Sequence, residues 1–289
     1  MRVVRPPREM QALSEELRGS GKRIALVPTM GYLHEGHLSL MREGRSRADV
    51  SVASVFVNPT QFGPKEDLSA YPRDFDRDCR MMEDAAVDFV FHPTAEDMYP
   101  SGFQTYVTVE QVTKHLCGIS RPHHFRGVAT VVAKLFHIVK PHIALFGNKD
   151  YQQVVVVRRM VRDLDMDVEV VGCPIVREPD GLAMSSRNTY LDAEERKQAL
   201  SLRRSLDEAR TLFLSGERSS RAITARVREI LSAGGPSVRI DYVSLCDAET
   251  LEGVDRIEDR SVLAIAAYVG RTRLIDNELF SVRSQEGRL

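Results

Sequence analysis

The first half of the chain alternates short runs of apolar, largely β-branched residues with longer stretches whose apolar positions recur at helical spacing. Residues 24–27, 50–57, 89–91 and 143–146 read as buried strands, and 38–48, 75–85, 127–139 and 151–164 read as helices between or after them. Strands that are apolar throughout, rather than at every second position, belong in a sheet covered on both faces, and strand–helix alternation makes that sheet parallel. Right-handed crossovers then predict a doubly wound, Rossmann-like layer. A further strand is expected at 168–171, and Pro174 ends the regular alternation.

Beyond Pro174 the pattern changes. Residues 193–214 and 219–233 predict long, charged amphipathic helices, while 237–245 and 261–268 predict alternating strands, with Gly234-Gly235-Pro236 as punctuation. The expected fold class is α/β: a Rossmann-like doubly wound parallel sheet over residues 1–175, followed by a second, smaller α+β domain over 176–289. In open sheets of the first kind, ligands bind beyond the carboxyl ends of the strands. His34, Asn58, Gln61 and the stretch 147–150 each lie just after a predicted strand, so they are expected to converge on one crevice.

Composition narrows the class. At 289 residues, with 43% hydrophobic and 28% charged content, the chain fits a soluble globular protein of one large or two ordinary domains. Forty basic residues against 41 acidic ones give a net charge of −1, which argues against a broad nucleic-acid or anionic-membrane surface but leaves room for a local basic pocket. No apolar run reaches the roughly 18–20 residues that cross a bilayer. The Arg- and Pro-rich N-terminus lacks the apolar middle of a signal peptide, so the cytoplasm is the expected location. Cys79, Cys117, Cys173 and Cys246 form no C-x-x-C pair and read as buried or incidental thiols.

Two motifs carry the chemistry. His34-Glu35-Gly36-His37 follows the first strand and the turn Met30-Gly31-Tyr32-Leu33. A strand, a Gly-containing turn and a new helix together present backbone N–H groups to phosphate. Two histidines three apart share one helix face and can donate to a triphosphate. Zinc hydrolases place their two histidines four apart with a Glu between, whereas here the spacing is three and a Gly intervenes. The plain alternative is a pair of polar residues at a helix start. Gly36 would let an adenine or ribose approach the backbone. Met184-Ser185-Ser186-Arg187-Asn188 adds hydroxyls and a permanent cation, a set suited to gripping phosphate oxygens, although Ser-Ser alone is common in turns. Together the motifs point to cleavage of ATP between its α and β phosphates to activate a carboxylate.

Other candidates are placed around them. Lys149 stands at a helix start, where the helix dipole disfavours a cation and a bound phosphate would relieve the conflict, and Asp150 fits as the cap of that helix. Gln61 and Gln153 are uncharged amides suited to hydroxyls and a carboxylate. In the acidic run Asp74, Asp76 and Asp78, only Asp78 is taken as a candidate Mg²⁺ ligand, and the others read as surface helix charges.

The two motifs resemble the H-x-G-H and K-M-S-K-S signatures of the nucleotidylyltransferase superfamily, which includes class I aminoacyl-tRNA synthetases, with Arg187 in place of the second Lys. Four longer blocks, at 28–37, 56–62, 147–153 and 180–188, resemble in their order the pantothenate synthetase (pantoate–β-alanine ligase) family, and the resemblance extends over nearly the whole chain. It implies ligation of pantoate to β-alanine through a pantoyl adenylate, with ATP consumed and AMP and pyrophosphate released. It further implies an ATP site of Met30, Gly31, Tyr32, Leu33, His34, Glu35, Gly36, His37, Gly147, Asn148, Lys149, Asp150, Val176, Met184, Ser185, Ser186 and Arg187. Within that set His34, His37, Lys149 and Arg187 are the implied catalytic residues. Gln61 and Gln153 would bind pantoate, Gln61 would also place β-alanine, and Mg²⁺ would accompany ATP in a homodimeric enzyme. Arg121 and His124 fall near the implied site without a defined task, and His123 replaces a small residue common there.

Two rivals stay open: another nucleotidylyltransferase that moves a nucleotide onto a phosphate, and an ATP-binding regulator without turnover. An aminoacyl-tRNA synthetase is disfavoured, since no anticodon-sized domain or basic surface is evident. The 184–188 segment is expected to act as a moving clamp, with Gly181 as a hinge element.

Overall fold

β2 is the axis of the larger sheet in this computed structural model, which describes residues 1–64 and 66–282. The chain runs β1 (Arg2–Val4), α1 (Pro7–Gly19), β2 (Ile24–Thr29), α2 (Glu35–Arg47), β3 (Val50–Val55), α3 (Phe75–Asp84), β4 (Phe89–Phe91), α4 (Ala95–Met98), α5 (Cys117–Ser120), α6 (His124–Val139), β5 (Ile143–Gly147), α7 (Tyr151–Asp163) and β6 (Glu169–Cys173). It continues through α8 (Ala193–Leu214), α9 (Ser220–Ser232), β7 (Val238–Asp247), β8 (Arg260–Val269) and β9 (Thr272–Ser281), with 3-10 turns at Pro59–Gln61, Asn148–Asp150 and Ser186–Tyr190.

The first six strands form one parallel sheet in the order β1-β4-β3-β2-β5-β6. From β2 the chain steps outward to β3 and β4 on one side, then returns to place β5 and β6 on the other. The direction of winding reverses between β2 and β5, and a crevice opens at such a switch point beyond the strand ends. Residues of β2 and β3 such as Ala25, Leu26, Val27, Val52 and Ala53 have no exposed surface, as their unbroken apolar runs require. The doubly wound sheet expected from the sequence is the one that forms.

β7, β8 and β9 form a separate antiparallel sheet. α8 and α9 cover it through Leu202, Leu206, Ile223 and Val227, which pack with Leu263 and Ile265 of β8. The chain divides into two compact units, one of residues 1–148 and 152–175, the other of 149–151 and the residues from 176 onward. Among the described residues no helix is long and apolar enough to cross a membrane.

Five of these helices and strands have no counterpart in the hydrophobic pattern: β1, α1, β9 and the four-residue helices α4 and α5. β1 is only three residues long. α1 begins on Pro7, a residue suited to the first helical position, and fully buries only Met10 and Ser14, too thin a stripe to stand out. β9 buries Asp276 and Asn277 in the middle of its run, which breaks the apolar alternation that marks a strand.

Candidate active site

The turn after β2 is held open in an unusual backbone conformation. Gly31 has φ +81° and Tyr32 φ +51°, both left-handed. At Gly31 a Cβ would lie 3.0 Å from Val55 Cγ1 and 3.1 Å from Asp78 Oδ2, so the glycine is needed for space as well as for torsion. For a non-glycine residue such as Tyr32 the left-handed region costs roughly 1–2 kcal/mol. Asp78 of α3 offsets this: its two carboxylate oxygens accept from Tyr32 N–H and Leu33 N–H, each at 2.7 Å. A hydrogen bond to a charged acceptor contributes about 1.5–3 kcal/mol, enough for the pair to outweigh the strain. Burial raises the Asp78 carboxyl above the usual carboxylate range, even though the Leu33 and Tyr32 N–H groups pull it down. Arg77 donates to Leu33 O at 3.0 Å and lies over the Tyr32 ring, closing the brace.

His34 ends the turn in an extended conformation and caps α2, its carbonyl accepting from His37 N–H at 2.8 Å. In return, His34 N–H donates to His37 Nδ1 at 3.3 Å, and the two rings lie 4.0 Å apart. With Nδ1 as acceptor, neutral His37 carries its proton on Nε2, which is then a donor. The start of α2 therefore combines a helix N-terminus with an imidazole N–H donor, both suited to an anion.

Beyond β3, Asn58 organises the second wall. Its Nδ2 donates to Gln61 Oε1 and to Gly127 O, each at 3.1 Å, and its Oδ1 accepts from Thr60 Oγ1 and Tyr99 OH, each at 2.9 Å. α6 approaches this turn closely enough that a Cβ on Gly127 would lie 2.4 Å from Thr60 O. Gln61 Nε2 reaches Met30 Sδ at 3.1 Å, which ties the glutamine to the turn after β2. Arg121 and His124 converge on the main chain of the same residue: Arg121 Nη2 donates to Gln61 O at 3.1 Å, and His124 Nδ1 lies 2.9 Å from it. Arg121 is in turn fixed by a two-pronged pair with Glu66. Their position is thus that of supports for Gln61. Gln153 lies half-buried in the first turn of α7. Its neighbour Gln152 is buried and donates to Val112 O and His115 O at 2.9 and 2.7 Å. At the end of β5, no described residue other than its chain neighbours comes within 4 Å of where a Gly147 Cβ would be, while the Asn148 side chain covers Gly172, where a Cβ would lie 2.3 Å from Asn148 Oδ1.

The second unit holds the remaining candidates. Lys149 O accepts from Asn277 Nδ2 of β9 at 3.0 Å, and its mostly buried side chain lies 3.9 Å from Asp150. Residues 176–184 fold back on themselves: Met184 N–H donates to Val176 O at 3.0 Å, and Arg177 bridges Ala183. Arg177 grips Asp276 of β9 with both terminal nitrogens, at 2.6 and 3.0 Å, and also donates to Gly181 O. Ser185 then caps the 3-10 turn Ser186–Tyr190 by accepting from Arg187 N–H at 3.3 Å.

Gly181, expected from the sequence as a hinge element, stands in the turn that precedes residues 184–188. Gly181 has φ +94°, but its N–H donates to Glu178 O at 2.8 Å and its carbonyl is held by Arg177. The glycine sits in a tight turn whose N–H and carbonyl are both bonded within residues 177–181. Sequence reasoning also missed Arg77, which braces the turn after β2 in the first unit, and Arg177, Glu178, Arg196, Asp276 and Asn277, which hold residues 149 and 176–188 within the second. Arg177 and Glu178 lie immediately before the 180–188 block, but nothing in the sequence ties them to β9 or α8.

The pantoate-beta-alanine ligase family model matches residues 2–279. The chain is 61% identical over 277 residues to a pantothenate synthetase from Geobacter sulfurreducens, covering 96% of this chain and 98% of that protein. It is 58% identical over 279 residues to a pantothenate synthetase from Thermotoga petrophila, with coverage of 96% and 99%. The crystal structure of pantothenate synthetase from Thermus thermophilus matches with a TM-score of 0.91 at 47% identity, over 96% of this chain and 99% of that one. A pantoate-beta-alanine ligase from Francisella tularensis, complexed with beta-gamma ATP and beta-alanine, matches with a TM-score of 0.75 at 30% identity, over 96% and 97%. The chain belongs to the pantoate–β-alanine ligase family.

Proposed function

We infer that this chain joins pantoate to β-alanine at the expense of ATP, through a pantoyl adenylate, releasing AMP and pyrophosphate. The observation within the fold that carries this reading is the His34–His37 turn at the carboxyl end of β2, beside the β2/β5 switch point, with His37 Nδ1 accepting from His34 N–H. In the first step the pantoate carboxylate attacks the α-phosphorus of ATP in line and pyrophosphate leaves. The protein's part is to position the reactants and stabilise the developing charge. We assign ATP to residues 30–37, 147–150, Val176 and 184–187, with His34, His37, Lys149 and Arg187 on the phosphates. Gln61 and Gln153 take pantoate. Because Gln61 Oε1 is occupied by Asn58 and one Nε2 hydrogen faces Met30, its remaining Nε2 hydrogen is the group offered to substrate oxygen. Gln61 also places β-alanine, whose amine then attacks the adenylate carbonyl and expels AMP. Residues 1–175 would hold ATP and pantoate, and 176–289 would bring the phosphate loop.

Mg²⁺ belongs to this proposal as a companion of ATP, supplying charge neutralisation on the phosphates. No group of three His, Cys, Asp or Glu among the described residues forms a cage for a metal, and both Asp78 oxygens are engaged by the backbone. We therefore assign Asp78 to bracing the turn; Mg²⁺ would come with ATP, in keeping with its reluctance to shed its water for a protein cage. A homodimer in the cytoplasm is part of the same proposal.

The test is an omission assay. With ATP, pantoate and β-alanine present, AMP, pyrophosphate and pantothenate should form in equal amounts, and none should form when ATP or pantoate is left out. A nucleotide-capped product would favour a nucleotidyl transfer that stops there, and ATP binding without turnover would favour a regulator.

A further inference from the structure

Glu178 stands outside the phosphate-loop motif, yet it joins three parts of the second unit. One carboxylate oxygen accepts from Asn188 Nδ2 at 2.6 Å, and the other accepts from Arg196 Nη2 of α8 at 2.7 Å. Its main chain closes the 176–184 fold from both directions, with Glu178 N–H donating to Leu182 O and its carbonyl accepting from Gly181 N–H, each at 2.8 Å. Asn188 lies in the same 3-10 turn as Ser186 and Arg187, is almost fully buried, and also donates to Ala183 O at 3.1 Å. Because both of its Nδ2 partners are acceptors, the amide can sit only one way round. Arg196 forks further onto Asp180 Oδ2, so α8 anchors the fold at two carboxylates. A loop that must present two hydroxyls and a guanidinium in fixed geometry gains from such support.

We propose that Glu178 is a positioning residue for the phosphate loop: through Asn188 it fixes Ser185, Ser186 and Arg187 relative to α8, and Arg196 fixes Glu178 in turn. The role rests on the ligase reading above, in which that loop grips ATP. Burial works against the ionised Glu178, but the Arg196 and Asn188 hydrogen bonds outweigh it and hold its carboxyl below the usual range. The carboxylate is therefore charged under working conditions and bonded on both oxygens.

The experiment measures calorimetric binding of α,β-methylene-ATP to the full chain, alongside steady-state kinetics. Glu178→Ala should weaken analogue binding about tenfold or more, the effect expected when one charge-assisted hydrogen bond is lost. The KM for pantoate should stay within about twofold. The same substitution in an Arg187→Ala background should add little, since Glu178 acts through the loop that Arg187 belongs to. Glu178→Gln retains one acceptor and the local packing, and carries the same comparison if the alanine variant does not fold, with a loss of at least about threefold. Unchanged analogue binding, an equal loss toward pantoate, or full additivity with Arg187→Ala would overturn the proposal. Wild-type protein that binds the analogue yet makes no pantothenate would overturn the ligase reading instead, and leave the loop comparison standing.

Discussion

His34 N–H donates to His37 Nδ1 at 3.3 Å, a contact that favours the neutral tautomer with the proton on Nε2. The His37 ring lies only 4.0 Å from that of His34, at the first turn of α2, where an Nε2–H would face an anion. His37→Ala should therefore lower kcat by roughly 10²–10³, the effect of removing one transition-state donor, with substrate binding changed less. His34→Ala should weaken ATP use as well. Near-normal turnover in a folded His37→Ala variant would remove His37 from the phosphate site.

The Asp78 brace makes a different prediction. Asp78→Ala leaves two buried N–H donors, of Tyr32 and Leu33, without their acceptor, at a cost of about 2–4 kcal/mol in stability. Activity should fall with it, and raising Mg²⁺ should not restore either. Recovery of activity at high Mg²⁺ would instead make Asp78 a ligand of the ion.

Gln61 and Gln153 should separate the substrates. Truncating either amide should harm the use of pantoate more than the affinity for ATP, because a buried polar partner left unpaired is costly. Steady-state kinetics with each substrate varied would show it. A defect confined to ATP in both variants would mean that the two subsites are reversed.

Acid should weaken the second unit through its carboxylates. Glu178 and Asp180 are both held below their ordinary values, 4.5 and 3.8, against the opposing effect of burial, by hydrogen bonds from Arg196 and, at Glu178, Asn188. A carboxyl depressed in the folded state contributes stability that is complete above its unfolded pKa and is lost as pH falls through the folded one. Wild-type stability in urea should therefore drop more steeply below about pH 4.5 than that of Arg196→Ala, whose carboxylates have lost this support. Parallel profiles would show that Arg196 contributes nothing there.

Much of the fold was legible because its strands are local and apolar. The β2 and β3 runs announce themselves, and the turn after β2 carries its own glycine and histidines. What escaped the sequence depends on contacts between distant segments. Asp276 and Asn277 disguise β9 because each is buried against a partner, Arg177 and the carbonyl of Lys149. Asp78 reads as a candidate Mg²⁺ ligand in an acidic run until α3 is packed beside the Tyr32 turn and its oxygens meet the backbone. Gly181 reads as a hinge because torsional freedom is visible in sequence, whereas its hydrogen bonds to Glu178 and Arg177 are not.

The central claim is that catalysis proceeds in two steps through a pantoyl adenylate, and isotope exchange tests it most directly. Protein incubated with ATP, pantoate and labelled pyrophosphate, in the absence of β-alanine, should move label into ATP, and exchange should cease when pantoate is withheld. Exchange that requires β-alanine would contradict the two-step account.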